Sequence, residues 1–193
     1  MRKIFNISLH RSATMSFIKF CVDNGLKGQH WPGREFDEAV RPALRGMNLD
    51  FVWRTYQPYL QHADAFADIP VPLFYRHAYE TFPDARFVLL LRSPQSWIKS
   101  VRHHCREGRA LDVLERMQYY YAFGKAILRL DEFTDLELFD GYEHFTEIVT
   151  CFYVSMKANF IVLDLAEPYV GPKLARFLEF EKVTAFPNIQ HTW

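Results

Sequence analysis

Five apolar residues in a row, Phe87-Val88-Leu89-Leu90-Leu91, stop abruptly at Arg92, and Ser93 and Pro94 follow at once. So short and continuous a run reads as a strand buried on both faces of a parallel sheet. Ser93 suits a helix N-cap and Pro94 the first helical position, where a missing N–H costs nothing. Arg92 therefore falls at the carboxyl end of a central strand, where open α/β sheets hold their ligands. Ser100 lies about two turns into the next helix and can face the same crevice. An arginine and a serine converging there suggest a phosphate clamp.

The spacing R-x-P-x5-S, carried by Arg92, Pro94 and Ser100, resembles the segment with which sulfotransferases hold the 3'-phosphate of 3'-phosphoadenosine-5'-phosphosulfate (PAPS). A second segment points the same way. Lys3 to Leu9 reads as a first strand, then come His10-Arg11-Ser12-Ala13-Thr14-Met15-Ser16 and an amphipathic helix. That order is similar to the 5'-phosphosulfate loop of the same family. The resemblance puts Arg11 at the basic position, Ser12 at the small hydroxyl, and Ala13, Thr14, Met15 and Ser16 around the helix start. His10, Ala13 and Met15 depart from the family's usual proline, glycine and hydroxyl residue, and Ala13 stands where glycine would allow unusual dihedrals. Asp68-Ile69-Pro70 and Phe82-Pro83-Asp84-Ala85-Arg86 resemble the connection that leads into the phosphate-gripping strand. Phe160 to Leu165, a helix and Phe186-Pro187-Asn188 look like the closing strand, helix and tail. The family's C-terminal R-K-G loop is missing, though Asn188 and His191 in the tail are placed to approach the nucleotide.

What the resemblance implies is a three-layer α/β fold, a parallel sheet flanked by helices of the P-loop NTPase-like sulfotransferase type, in a single domain spanning residues 1–193. The implied reaction is sulfuryl transfer from PAPS to a hydroxyl or amine of a small-molecule, lipid or saccharide acceptor, with no metal. Arg11 stabilises charge on the bridging oxygen, and Arg92 with Ser100 grips the 3'-phosphate. Asp68 is the first candidate for the catalytic base, with helix capping as its alternative role; His30 follows, and then His62.

Two other readings compete. One is a P-loop nucleotide kinase or NTPase, with the strand ending in Asp164 imitating a magnesium-holding strand. Against it, no glycine and no lysine stand between Ser8 and Ser16, so G-x-x-x-x-G-K-[ST] is missing. The other is a non-catalytic binding protein on the sulfotransferase fold.

The 23 basic and 23 acidic residues balance, giving the whole molecule no strong pull toward nucleic acid or anionic membrane. Locally, Lys99, Arg102, Arg106 and Arg109 read as a solvated helix face, and Asp131 to Asp140 as a polar loop. Cys21, Cys105 and Cys151 read as buried free thiols of a reducing compartment, hence a cytoplasmic location. His103-His104-Cys105 lacks a partner cluster for a metal. No apolar run is long enough to cross a membrane.

Further along, residues 34–66 read as irregular helix, 66–69 as a short strand and 72–81 as helix. Long helices are expected over 112–130 and 142–157, then a strand over 160–165 and a last helix over 168–180. Strands alternating with helices give a parallel sheet. The 17% aromatic content suits either an aromatic acceptor pocket or, more simply, rings filling the core.

Overall fold

The computed structural model describes residues 2–106, 108–181 and 185–187. Five strands, β1 (Ile4–Asn6), β2 (Gly28–Gln29), β3 (Ala65–Phe66), β4 (Arg86–Leu91) and β5 (Asn159–Asp164), form one sheet in the order β2-β3-β1-β4-β5. Every pairing is parallel, with Ile4 opposite both Ala65 and Arg86, and Phe87 opposite Phe160. Eight α-helices, α1 (Thr14–Asp23), α2 (Arg34–Val40), α3 (Leu49–Tyr56), α4 (Tyr75–Thr81), α5 (Pro94–His104), α6 (Val113–Phe123), α7 (Asp135–Ser155) and α8 (Val170–Leu178), fill the connections among the described residues.

The alternation of side chains along β4 explains the three layers. Phe87 and Leu89 point into a core with Trp53, Tyr56, Trp97 and Tyr153, while Val88 and Leu90 point into a second core with Phe17, Phe20 and Leu174. The larger core is built of rings. Phe5 stacks on Phe66 and Phe87 at 5.2 and 5.7 Å, and Phe87 lies 4.5 Å from Tyr153. The largest fully buried side chains are mostly aromatic, so core filling accounts for most of the ring content.

Several expected boundaries move. The helix expected over 112–130 starts with Asp112 as N-cap, joined to Glu115 in a reciprocal capping box, and stops at Phe123. Gly124, at φ 70°, takes the left-handed turn that ends it. The acidic stretch is not a plain polar loop, because Thr134 and Glu137 form a second capping box that starts α7 seven residues earlier than the expected Tyr142. β2, only two residues long, lies in Lys27 to Gly33, a stretch punctuated by glycine and proline. Cys21 and Cys105 are buried as expected, but Cys151 is exposed on α7.

One glycine controls how α6 and α7 meet. A Cβ on Gly141 would run into the ring of Phe123, which itself stacks on Trp97 at 5.9 Å. Replacing a mid-helix glycine by alanine ordinarily gains about 1 kcal/mol. Overpacking here costs about 1–3 kcal/mol and should win. Gly141→Ala is expected to lower stability by up to about 2 kcal/mol, read as a reduced midpoint in urea at unchanged slope.

Candidate active site

The loop between β1 and α1 is fastened to the neighbouring strand by buried polar groups. The Asn6 side-chain carbonyl accepts from the N–H and hydroxyl of Ser8, and the Ser8 hydroxyl accepts from the Leu90 N–H at 2.6 Å. The His10 carbonyl then accepts from the indole N–H of Trp97 at 2.9 Å. Beyond it Arg11 (φ 65°) and Ala13 (φ 58°) both adopt the left-handed conformation, folding the chain back to begin α1. No acidic side chain occupies the first turn of α1 and no side chain caps it, so its start presents positive dipole ends. An anion is the natural occupant of such a helix start.

Arg92 follows β4, and α5 begins as its sequence implies. The Ser93 hydroxyl caps the Ser96 N–H, and Pro94 takes the first turn. The Arg92 guanidinium donates to the Arg11 carbonyl at 2.9 Å and to the Ser96 hydroxyl at 2.7 Å. The Tyr142 hydroxyl accepts from the Arg92 N–H and donates to its carbonyl, both at 3.1 Å, fixing that backbone from across the fold. The Arg11 Nε donates to the Ser100 hydroxyl at 3.3 Å. Arg11, Ala13, Thr14, Met15, Ser16, Arg92 and Ser100 thus line one cleft of about 1610 Å³ at the carboxyl ends of the strands. Among the described residues, the ion pairs leave both Arg11 and Arg92 without a carboxylate. Burial and then the neighbouring Arg11 charge lower the pKa of Arg92, the mark of a cation held where a negative group is wanted.

Asp68 and His30 also line the cleft. Asp68, at φ 69°, caps nothing; its carboxylate sits 3.2 Å from Nε2 of His30. The same ring nitrogen is 3.0 Å from the Thr14 hydroxyl. Ser12 departs from expectation. Its side chain is fully buried, its N–H bonds the Leu9 carbonyl, and it is not part of the cleft wall. Its side chain is turned into the protein between two left-handed residues. His62 is exposed and away from the wall, and Asn188 and His191 lie outside the described residues.

The basic run is not a uniformly solvated face. Arg102 pairs with Asp135 at 2.8 Å, and Arg109 with the buried Glu115 at 2.6 Å. In the sequence His10 is only a departure from the family loop. It is 3% exposed, bonds the Tyr119 hydroxyl at 2.9 Å, and burial drives its pKa down to about 4, so its ring is neutral. Ser96 carried a readable signal, one helical turn from Arg92. Tyr142, Tyr119 and Glu115 lie far off in sequence and carried none.

Two stability effects follow from groups around this cleft. Ala13 pays about 1–2 kcal/mol for its left-handed backbone, while glycine loses about 0.4–1 kcal/mol through the unfolded chain. Ala13→Gly is therefore expected to raise stability by about half a kcal/mol to 1 kcal/mol in chemical denaturation. Asp37 of α2 is buried, with one carboxylate oxygen unpartnered. Burial and then the charge of Asp112 push its pKa up to about 7 from 3.8, against an opposing hydrogen bond from Trp31. Between these values the folded protein holds a proton that the unfolded chain has released, so stability falls as pH rises from about 3.8 to about 7. Asp37→Asn should remove that loss. Its melting temperature should exceed the wild type's above pH 7, and the difference should vanish below pH 4.

Comparison with known proteins agrees with this geometry. The family profile described as "Sulfotransferase domain" matches residues 3–189. Over the whole chain the fold is similar to that of a sulfotransferase from Alicyclobacillus acidocaldarius, at 15% identity and a TM-score of 0.54, covering 87% of that chain. It is also similar to shikimate kinase from Bacteroides thetaiotaomicron, at 14% identity and a TM-score of 0.56, over 92% of this chain and 98% of that one. At such identities both likenesses concern the fold. In sequence, 109 residues, 52% of the chain, are 27% identical to Ava biosynthesis cluster protein M of Aspergillus versicolor, and they span only 42% of that relative. With a family profile matched over residues 3–189, on a parallel sheet with a cleft at its strand ends, the chain belongs to the sulfotransferase family.

Proposed function

We propose that the protein transfers a sulfuryl group from PAPS to a hydroxyl or amine of a small-molecule, lipid or saccharide acceptor. The observation that supports this most is the pair Arg11 and Arg92, both in one cleft and neither matched by a carboxylate among the described residues. A doubly phosphorylated adenosine carries negative groups at both ends, and this donor suits two separate cationic grips. In this reading the start of α1, with Arg11, Thr14, Met15 and Ser16, holds the 5'-phosphosulfate. Arg92 and Ser100 hold the 3'-phosphate, with the planar guanidinium suited to paired hydrogen bonds. Arg11 cannot give up its proton, so its part is to donate hydrogen bonds where charge builds on the bridging oxygen.

Asp68 and His30, the candidates for the base, are engaged with each other and with Thr14 through a single ring nitrogen. That arrangement favours holding the Thr14 hydroxyl toward the donor. As in phosphoryl transfer, most of the catalytic effect then comes from positioning and charge stabilisation. The three free cysteines fit a reducing cytoplasm. For a nucleotide kinase the loop lacks both the glycines and the lysine that cradle a triphosphate.

Titration calorimetry with 3'-phosphoadenosine-5'-phosphate (PAP), the spent donor, tests the reading. Wild type should bind without added metal, and Arg92→Ala should weaken binding by at least about tenfold, the loss of charged hydrogen bonds. A wild-type protein that fails to bind PAP would sink the proposal. Binding without transfer to any acceptor would instead support the non-catalytic alternative.

A further inference from the structure

Ser96, in the first turn of α5, lies one helical turn beyond Arg92 and one before Ser100, and all three line the cleft. Nη2 of Arg92 donates to the Ser96 hydroxyl at 2.7 Å, and Nη1 donates to the Arg11 carbonyl at 2.9 Å. The guanidinium is thus pinned at both terminal nitrogens by neutral acceptors, and these bonds use fewer than half of its N–H groups. A serine inside a helix commonly turns its own proton back to the carbonyl one turn earlier. Here that carbonyl belongs to Arg92 and takes the Tyr142 hydroxyl at 3.1 Å. Ser96 accepts from Arg92, and no acceptor among the described residues takes its own proton. Ser100 repeats the pattern, accepting from Nε of Arg11 at 3.3 Å. A hydroxyl that accepts from a cation becomes a better donor, because successive hydrogen bonds polarise one another.

We propose that Ser96 is a third residue of the 3'-phosphate site, holding the Arg92 guanidinium in aim and donating its hydroxyl proton to the same phosphate. The assignment rests on the sulfotransferase reading above. A phosphate group has three strong acceptor oxygens, and a single arginine leaves part of them unserved. Ser96 and Ser100 each add a hydroxyl, one helical turn apart on the same face. They complete the grip without placing another charge beside Arg92, whose charged form burial and then Arg11 already oppose.

Lys99 is the obvious competitor, since it too lies on the cleft wall and brings a charge. Among the described residues, however, no bond joins it to Arg11, Arg92 or Ser100, whereas Ser96 is bonded to the arginine itself. The structure favours the hydroxyl.

The test has two arms. In the first, nitrogen-15 NMR of the ligand-free protein follows rotation of the Arg92 guanidinium about its Nε–Cζ bond. Wild type should give separate Nη signals at a temperature where exposed arginines give one, and Ser96→Ala should merge them. Merged signals in the wild type, or separate ones that survive Ser96→Ala, overturn the proposal whatever the donor proves to be. In the second arm, calorimetry compares PAP with adenosine 5'-monophosphate, which differs only in lacking the 3'-phosphate. Ser96→Ala should weaken PAP binding at least about tenfold and leave the monophosphate within about twofold. Ser96→Thr, which restores the hydroxyl, should recover most of the loss. In an Arg92→Ala background, Ser96→Ala should still cost about fivefold, because the direct bond to the phosphate outlasts the arginine. Equal losses on both nucleotides, no loss on PAP, no recovery with threonine, or no further loss in that background would overturn it. Failure of the wild type to bind PAP, or equal affinity for the two nucleotides, counts against the donor reading itself, and the NMR arm still decides whether Ser96 holds Arg92.

Discussion

Arg92 bonds to the carbonyl of Arg11 while Arg11 reaches Ser100, so two like charges share one cleft and are held there by neutral partners. Such an arrangement carries a standing electrostatic cost, since nearby like charges and burial both oppose the charged forms. The fold maintains it with hydrogen bonds that also satisfy buried donors. Tyr142 fixes the Arg92 backbone, Trp97 fixes the His10 carbonyl, and the Ser8 hydroxyl fixes the loop to β4. In the reading proposed above, a polyanionic donor would supply the counter-charge, the cost of assembling the cleft being met already in folding.

The aromatic packing belongs to the same system. Trp97 bonds the β1–α1 loop on one side and stacks on Phe123 on the other, and Phe123 lies against the surface that Gly141 leaves open. The closeness of α6 to α7 therefore bears on where the loop sits. Interiors are close-packed, so a single added methyl group at that crossing has no slack to absorb it. Ring content that reads as simple filling turns out to connect the helical layer to the strand ends.

Sequence made the centre of the fold readable because its signals are local. The run Phe87 to Leu91, its stop at Arg92 and the Ser93–Pro94 helix start are all contiguous, and each is found as expected. Arg11 and Ser100 came from short motifs, and they meet. Other features depended on the third dimension. Ser12 faces inward because left-handed residues on either side turn it, and no pattern of residue types announces that where alanine takes the glycine place. The 112–130 periodicity ran on through Gly124, whose turn ends α6 early. His104 and Glu115 come near each other only because α5 and α6 fold together, and His103-His104-Cys105 taken alone shows no partner for them.

β1 is three residues long, yet it carries the whole arrangement, pairing with Ala65 on one side and Arg86 on the other. Neither partner is near it along the chain. Closing loops of that length costs conformational entropy before any contact repays it, and non-local parallel pairing is slow to form. The first strand and its loop thus have their full set of pairings only when the segments on both sides have been gathered in. Truncated or nascent chains that end before β4 would have the residues of the β1–α1 loop without its geometry. The shape of that loop is in that sense a readout of completed folding.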